Sequence, residues 1–297
     1  MMSQDALAVP GAGGLRYRSK RARPFGRYVK WFLLYALLIT LAVVMIFPYY
    51  WMVVNSLKGP RGFTANPNSL IPQTLSFESL SYVWFQGKIA VFLKNSFLYA
   101  IIVLIAQTLI DSLAAYAFSR IEFPGRDPLF VIILATMMLP YSVLLIPTYL
   151  IIWRLHLANT VAGVVIPGFA SAYGVFMLRQ FFMNIPFELE DAARIDGCGR
   201  LRIYWQVILP LAQPALITMG LFTFMGQWSD FTWPLVVLSD AKKYPITVGL
   251  SLFRDEQWLN WDRTFAASVI GSLPLVILFF LGQRYIIGGI SLTGLKG

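Results

Sequence analysis

Long apolar runs separated by polar segments set the plan of this chain. Trp31–Val54 carries no charged residue and exceeds the roughly 20 residues a helix needs to cross a bilayer. Further apolar runs cover Ser96–Phe118, Leu129 to about Ile152, Val161–Leu178, Leu211 to about Trp228 with a continuation to Leu238, and Phe265–Leu281. None alternates like a barrel strand, and backbone polar groups in hydrocarbon must be satisfied within their own segment. The pattern therefore predicts an all-α membrane protein with six transmembrane helices. Pro140 and Pro147 should bend the third span. Gly163, Pro167, Gly168, Gly271 and Pro274 fit either helices broken around a cavity or helices packed closely through small residues.

The polar segments divide the chain further. Residues 1–30 form a tail, of which Met1–Gly14 lacks the pattern of a packed element and is expected to be disordered. A basic cluster of Arg16, Arg18, Lys20, Arg21, Arg23, Arg27 and Lys30 then leads into the first span, residues 31–54. No small-residue cleavage site follows that run, so it reads as an uncleaved helix. Residues 55–94, broken by prolines and glycines, are expected to fold in part on the outer face. Residues 95–284 form a five-helix core and 285–297 a C-terminal tail. Arg154–Asn159 should make a short outer turn, and Asp240–Arg263 a charged outer loop.

One stretch departs from this rhythm. Ile185–Leu216, within a loop spanning 182–213, is charged, helix-patterned and enclosed by apolar runs. Pro186 suits a first helical turn, while Glu188, Glu190 and Asp191 put negative charge where the helix dipole favours it. Gly197 should end that helix by taking a positive φ. A second helix carries Leu201, Tyr204, Trp205 and Ile208 at spacings expected to form one apolar face, with Arg200 and Arg202 turned away. Pro210 and Pro214 then redirect the chain.

The pattern Asp191-Ala192-Ala193, three residues, Gly197, nine residues, Val207-Ile208-Leu209-Pro210 resembles the cytoplasmic "EAA" loop of binding-protein-dependent ABC importer permeases. The surrounding IPFELEDAARIDG, LPLAQPAL, GRDPLF, LLIPTYL and WSDFTWPL segments are similar to the carbohydrate permeases of that family, of the maltose and glycerol-phosphate type. Asp191 stands where the family usually has Glu. The resemblance covers nearly the whole chain after the basic tail. It implies the type I ABC importer permease fold with cytoplasmic coupling helices, and a role as half of a sugar translocation pathway. It also implies four kinds of partner: a second permease, two cytosolic ATP-binding subunits that hold ATP and Mg, an extracytoplasmic substrate-binding protein and the lipid bilayer. The loop 186–210 would couple to the ATPases through Glu190, Asp191, Ala192, Ala193, Arg194, Gly197 and Pro210. Ala192 and Ala193 leave a flat helix surface suited to a cleft, and Glu190, Asp191 and Arg194 can meet opposite charges at its rim. The tail around Gly294–Gly297 would reach toward the ATPase pair.

Composition agrees with a membrane protein. The chain is 58% apolar and only 13% charged, against roughly a quarter charged in soluble domains. Its net charge of +10 would suggest nucleic acid in a soluble protein, but most of it flanks apolar spans. Placing the basic tail, the second-to-third turn, the 182–213 loop and the C-terminus inside collects the majority of Lys and Arg there. The expected location is thus the prokaryotic inner membrane, multi-pass, with both termini cytoplasmic and no nucleic-acid partner. The single cysteine, Cys198, excludes an internal disulfide. No G-x-x-x-x-G-K-[ST] occurs, and the single histidine, His156, has no partner set for metal or hydrolytic chemistry. The reading is a transport subunit, not an enzyme, with no cofactor of its own.

Two groups are candidates to touch the permeant. Gln107 and Asp111 share a face of the second span with Thr108 and Ser112, and a carboxylate at that depth must face protein or a wet cavity. Asp111 departs from the small or weakly polar residue expected of the family there, and a hydrogen bond to the partner permease is its other use. Gln227, Trp228, Asp230 and Phe231, with Trp233, combine rings with oxygen acceptors, which suits a sugar but also an interfacial aromatic belt. An importer of another small solute such as glycerol phosphate fits the same pattern. An ion-coupled secondary transporter fits less well, because it should show internal repeats and several charges within its spans.

Overall fold

The computed structural model describes residues 24–253 and 261–294, with side chains from 28 to 285 within them. The expectations for Met1–Gly14, for the basic cluster up to Arg27, for 254–260 and for the last residues of the tail lie outside the described side chains. Every regular element among the described residues is a helix, with no strand. The chain divides into a leading unit through Tyr50 and a main unit from Trp51. The leading unit holds most of α1 (Pro24–Ser56), which carries Pro48 inside it.

In the main unit the segment after α1 holds α2 (Gly59–Ala65) and α3 (Glu78–Phe85). Lys58 is buried there and its Nζ donates to the carbonyls of Asn66 and Pro67. The second span is α4 (Ile89–Arg120), 32 residues without a proline or glycine, hence unbroken. The third is split into α5 (Arg126–Thr136) and α6 (Tyr141–Arg154), which meet at 102°. Pro140 stands at that elbow as the N-cap of α6, whereas Pro147 lies inside α6. The turn after α6 uses left-handed backbone at His156 and Asn159. Asn159 Oδ1 accepts the backbone N–H groups of Ser239 and Asp240, tying this turn to the segment that follows Leu238.

The fourth span is α7 (Val161–Val165), a 3₁₀ turn over Ile166–Gly168 and α8 (Ala172–Met183), bent by 41°. Next come α9 (Glu188–Ile195), α10 (Arg200–Ile203), a π-helical turn over Tyr204–Ile208 and α11 (Leu209–Leu211). A 79° bend leads from these into α12 (Gln213–Ser229). Short α13 (Thr232–Val237) and α14 (Ile246–Ser251) precede α15 (Trp261–Gly294), which overruns the expected sixth span at both ends. Among the described residues three helices are long and apolar enough to cross a membrane, and each bent pair can count as one further span, giving up to six.

The core follows from these lengths. α4 packs along α8 and α12, and α12 along α15. Elsewhere in the main unit two glycines allow close approach. A Cβ on Gly271 would stand 2.8 Å from Ile246, and one on Gly163 would stand 2.2 Å from the Leu157 carbonyl. Ser79 donates to Asp262 at 2.6 Å in a buried contact that fastens α3 to α15.

Candidate functional site: the loop between α8 and α12

The distinctive stretch folds as helix, turn, helix. α9 ends in the paired bonds of a Schellman motif: Gly197 N–H donates to the Arg194 carbonyl and Cys198 N–H to the Ala193 carbonyl, both at 2.9 Å. Gly197 has φ +81°, the left-handed conformation that glycine takes without penalty. Its expected role as the stop of the first helix holds, although that helix starts at Glu188, with Pro186 preceding the N-cap residue Phe187.

The second helix corrects the sequence expectation. Leu201 and Trp205 are more than half exposed, while Ile203, Tyr204 and Ile208 are buried. These three pack with Ile185, with Leu178 and Phe182 of α8, with Ala115 and Tyr116 of α4 and with Met219 of α12. Half of the expected face therefore packs, Tyr204 and Ile208, with Ile203 beside them in place of Leu201 and Trp205, across a π turn over Tyr204–Ile208.

The charged residues of α9 separate into two sets. Glu190 is fully buried, and its Oε1 lies 3.0 Å from Arg120 Nε at the end of α4, as an ion pair rather than a linear hydrogen bond. Arg120 Nη2 also donates to the carbonyls of Phe182 and Ile185, and its guanidinium lies over the Phe187 ring. Burial pushes the Glu190 carboxyl above the usual carboxylate range, against the downward pull of Arg120 and Arg194. Glu190 therefore faces its own chain and does not present charge at a cleft rim. Asp191 and Arg194 pair on the exposed face at 3.1 Å, beside exposed Ala192 and half-buried Ala193. Around them Phe187, Leu189, Ile195, Leu201 and Trp205 are exposed, Ile195 to 87%.

The candidate permeant residues are not brought together. Asp111 is fully buried within this chain. Its Oδ1 accepts the Ser171 N–H at 2.9 Å, and its Oδ2 lies where a Cβ on Gly174 would fall, at 2.1 Å. It closes the N-terminus of α8 instead of lining a path. Gln107, one turn before it, is half-buried. Trp228 is core: its Nε1 donates to the Gly271 carbonyl at 3.1 Å, and its ring stacks on Phe224 and meets Phe97 edge-on. Gln227 is half-buried near Gly168, Asp230 accepts the Trp233 N–H at 3.3 Å, and Phe231 is exposed. Of the six candidates, Gln107, Gln227, Asp230 and Phe231 keep some exposed surface.

The sequence alone does not single out Arg120 or the buried 2.7 Å bond between Ser112 Oγ and Tyr204 OH. The available signal was the spacing of Ser112, Tyr116 and Arg120 by four, which aligns them on one helical face.

Comparison with known proteins completes the picture. Residues 108–291 match the family described as binding-protein-dependent transport system inner membrane component. The arabinooligosaccharides transport system permease protein AraQ of Halalkalibacterium halodurans is 32% identical over 260 residues, covering 86% of this chain and 93% of AraQ. The sn-glycerol-3-phosphate transport system permease protein UgpE of Yersinia pestis is 33% identical over 263 residues, covering 86% of this chain and 93% of UgpE. A chain of a bacterial ABC transporter involved in the import of the acidic polysaccharide alginate superposes with a TM-score of 0.81 at 23% identity, covering 88% of this chain and 97% of that one. This chain belongs to the family of inner-membrane components of binding-protein-dependent transport systems.

Proposed function

We propose that the chain is one permease subunit of an ATP-driven sugar importer. It forms half of the path with a second permease and couples to two cytosolic ATPases through the loop 186–210. The observation that carries this reading is the build of α9. It is a short helix capped at its end by Gly197 and tied to the membrane core through Glu190, and it offers Asp191, Ala192 and Arg194 among exposed apolar residues. A polar face ringed by exposed apolar side chains marks a surface that a partner covers. The ATPases supply ATP and Mg; this chain has no nucleotide cradle in its sequence. Both termini lie inside by the distribution of Lys and Arg, and the outer segments around α3 and α14 face a substrate-binding protein. Asp230, near the remaining candidate path residues Gln227 and Phe231, suits the hydroxyls of a neutral sugar and would repel a phosphate dianion. The relatives' own solutes include both classes.

The test is uptake of labelled oligosaccharides into vesicles holding the purified complex, with ATP inside, binding protein outside and ion gradients collapsed. Uptake that requires both ATP and the binding protein is expected. Uptake that follows an ion gradient would overturn the reading.

A further inference from the structure

α4 is gripped along one face at each end. Toward its C-terminus, Ser112, Tyr116 and Arg120 hold the loop between α8 and α12. Ser112 Oγ meets Tyr204 OH at 2.7 Å, Tyr116 OH donates to the Arg200 carbonyl at 3.3 Å, and Arg120 pairs with Glu190 at 3.0 Å. These partners lie on both sides of Gly197, so both limbs of the loop are fixed to the same helix. Toward its N-terminus, Asn95, Ser96 and Tyr99 hold the segment Lys242–Ile246. Asn95 Nδ2 donates to the carbonyls of Lys242 and Tyr244 at 2.9 and 3.0 Å, Tyr99 OH donates to the Lys243 carbonyl at 2.7 Å, and Ser96 Oγ accepts the Ile246 N–H at 2.7 Å.

Between the two grips α4 has no break, whereas the third and fourth spans are each bent within the candidate membrane region. From Tyr99 to Ser112 the helix rises about 20 Å, at 1.5 Å per residue. A continuous helix held by several polar bonds at each end moves as one piece, and a shift of either loop has to shift the other or break those bonds.

We propose that α4 is a rigid rod linking the 242–246 segment to the loop between α8 and α12, with Tyr99 and Tyr204 as positioning residues at its two ends. Docking of the binding protein on one side and the state of the ATPases on the other then bias the same element, which is the physical requirement for coupling between distant sites. This rests on the importer reading above.

The experiment measures ATP hydrolysis by the whole complex in vesicles, with and without sugar-loaded binding protein, for the native chain, Tyr99→Phe, Tyr204→Phe and the double variant. Each single change removes one hydroxyl and keeps the ring. In Tyr204→Phe, Ser112 Oγ keeps its bond to the Thr108 carbonyl. Stimulation by the binding protein is expected to fall about five-fold in each single variant, the effect of one buried hydrogen bond. Because both act through one rod, the double variant falls no further than the weaker single. If Tyr204→Phe does not assemble, Ser112→Ala removes the same bond and takes its place. Unchanged stimulation in the single variants, or losses that multiply in the double variant, would overturn the rod while leaving the importer reading intact. A native complex whose hydrolysis ignores the loaded binding protein would overturn both.

Discussion

Arg120 Nε and Glu190 Oε1 stand 3.0 Å apart with neither side chain exposed, at the joint between α4 and α9. Removing one partner of such a pair strands the other charge, which costs about 3–5 kcal/mol, while replacing both with apolar groups of similar volume is often close to neutral. Glu190→Ala is therefore expected to lower the melting temperature of the purified complex sharply. Combining Arg120→Met with Glu190→Leu should recover much of the loss. Equal losses in the two variants would mean that the pair contributes little and that packing alone holds the joint.

Gly174 leaves room for Asp111. A Cβ at 2.1 Å from Oδ2 forces the carboxylate away from the Ser171 N–H, whose loss would leave a buried donor unpaired. Gly174→Ala should destabilise by about 1–3 kcal/mol, read as reduced yield and melting temperature. Asp111→Asn should be milder, since a carboxamide oxygen still accepts from Ser171.

Trp228 and Phe231 lie three residues apart in sequence but belong to different environments, core and exposed surface. Trp228→Phe keeps ring packing and loses the bond to the Gly271 carbonyl, so it should cost about 1 kcal/mol in stability and leave the sugar concentration for half-maximal uptake unchanged. Phe231→Ala should raise that concentration with little effect on stability. Reversed effects would exchange the roles assigned to these residues.

Much of this architecture was legible in the sequence because its determinants are local. Uncharged runs of sufficient length gave the spans, Pro140 gave the elbow, and Gly197 gave the stop of α9. The face of the second loop helix was legible only in part: Tyr204 and Ile208 pack inward as their spacing suggests, but Ile203 joins them in place of Leu201 and Trp205, and no spacing rule anticipates the π turn there. The fate of Asp111 was equally hidden. A carboxylate in a span must be satisfied, but whether by a cavity, by a partner subunit or by the N–H of Ser171 depends on how α8 is bent 60 residues later. Arg120 illustrates the same limit. Its charge was read as topology, and only the folded loop turns Glu190 back toward it.

The most direct test of the account concerns the turn at Gly197. A Cβ there would meet nothing within 4 Å, so Gly197→Ala acts through backbone strain alone, about 1–2 kcal/mol for a left-handed residue, and disturbs the α9 stop without a clash in the core. Sugar uptake and sugar-stimulated ATP hydrolysis would be measured together in vesicles holding the native or the variant complex. The account predicts that both fall in parallel while all subunits still co-purify. Uptake that persists without ATP and tracks an ion gradient, in either complex, would contradict it.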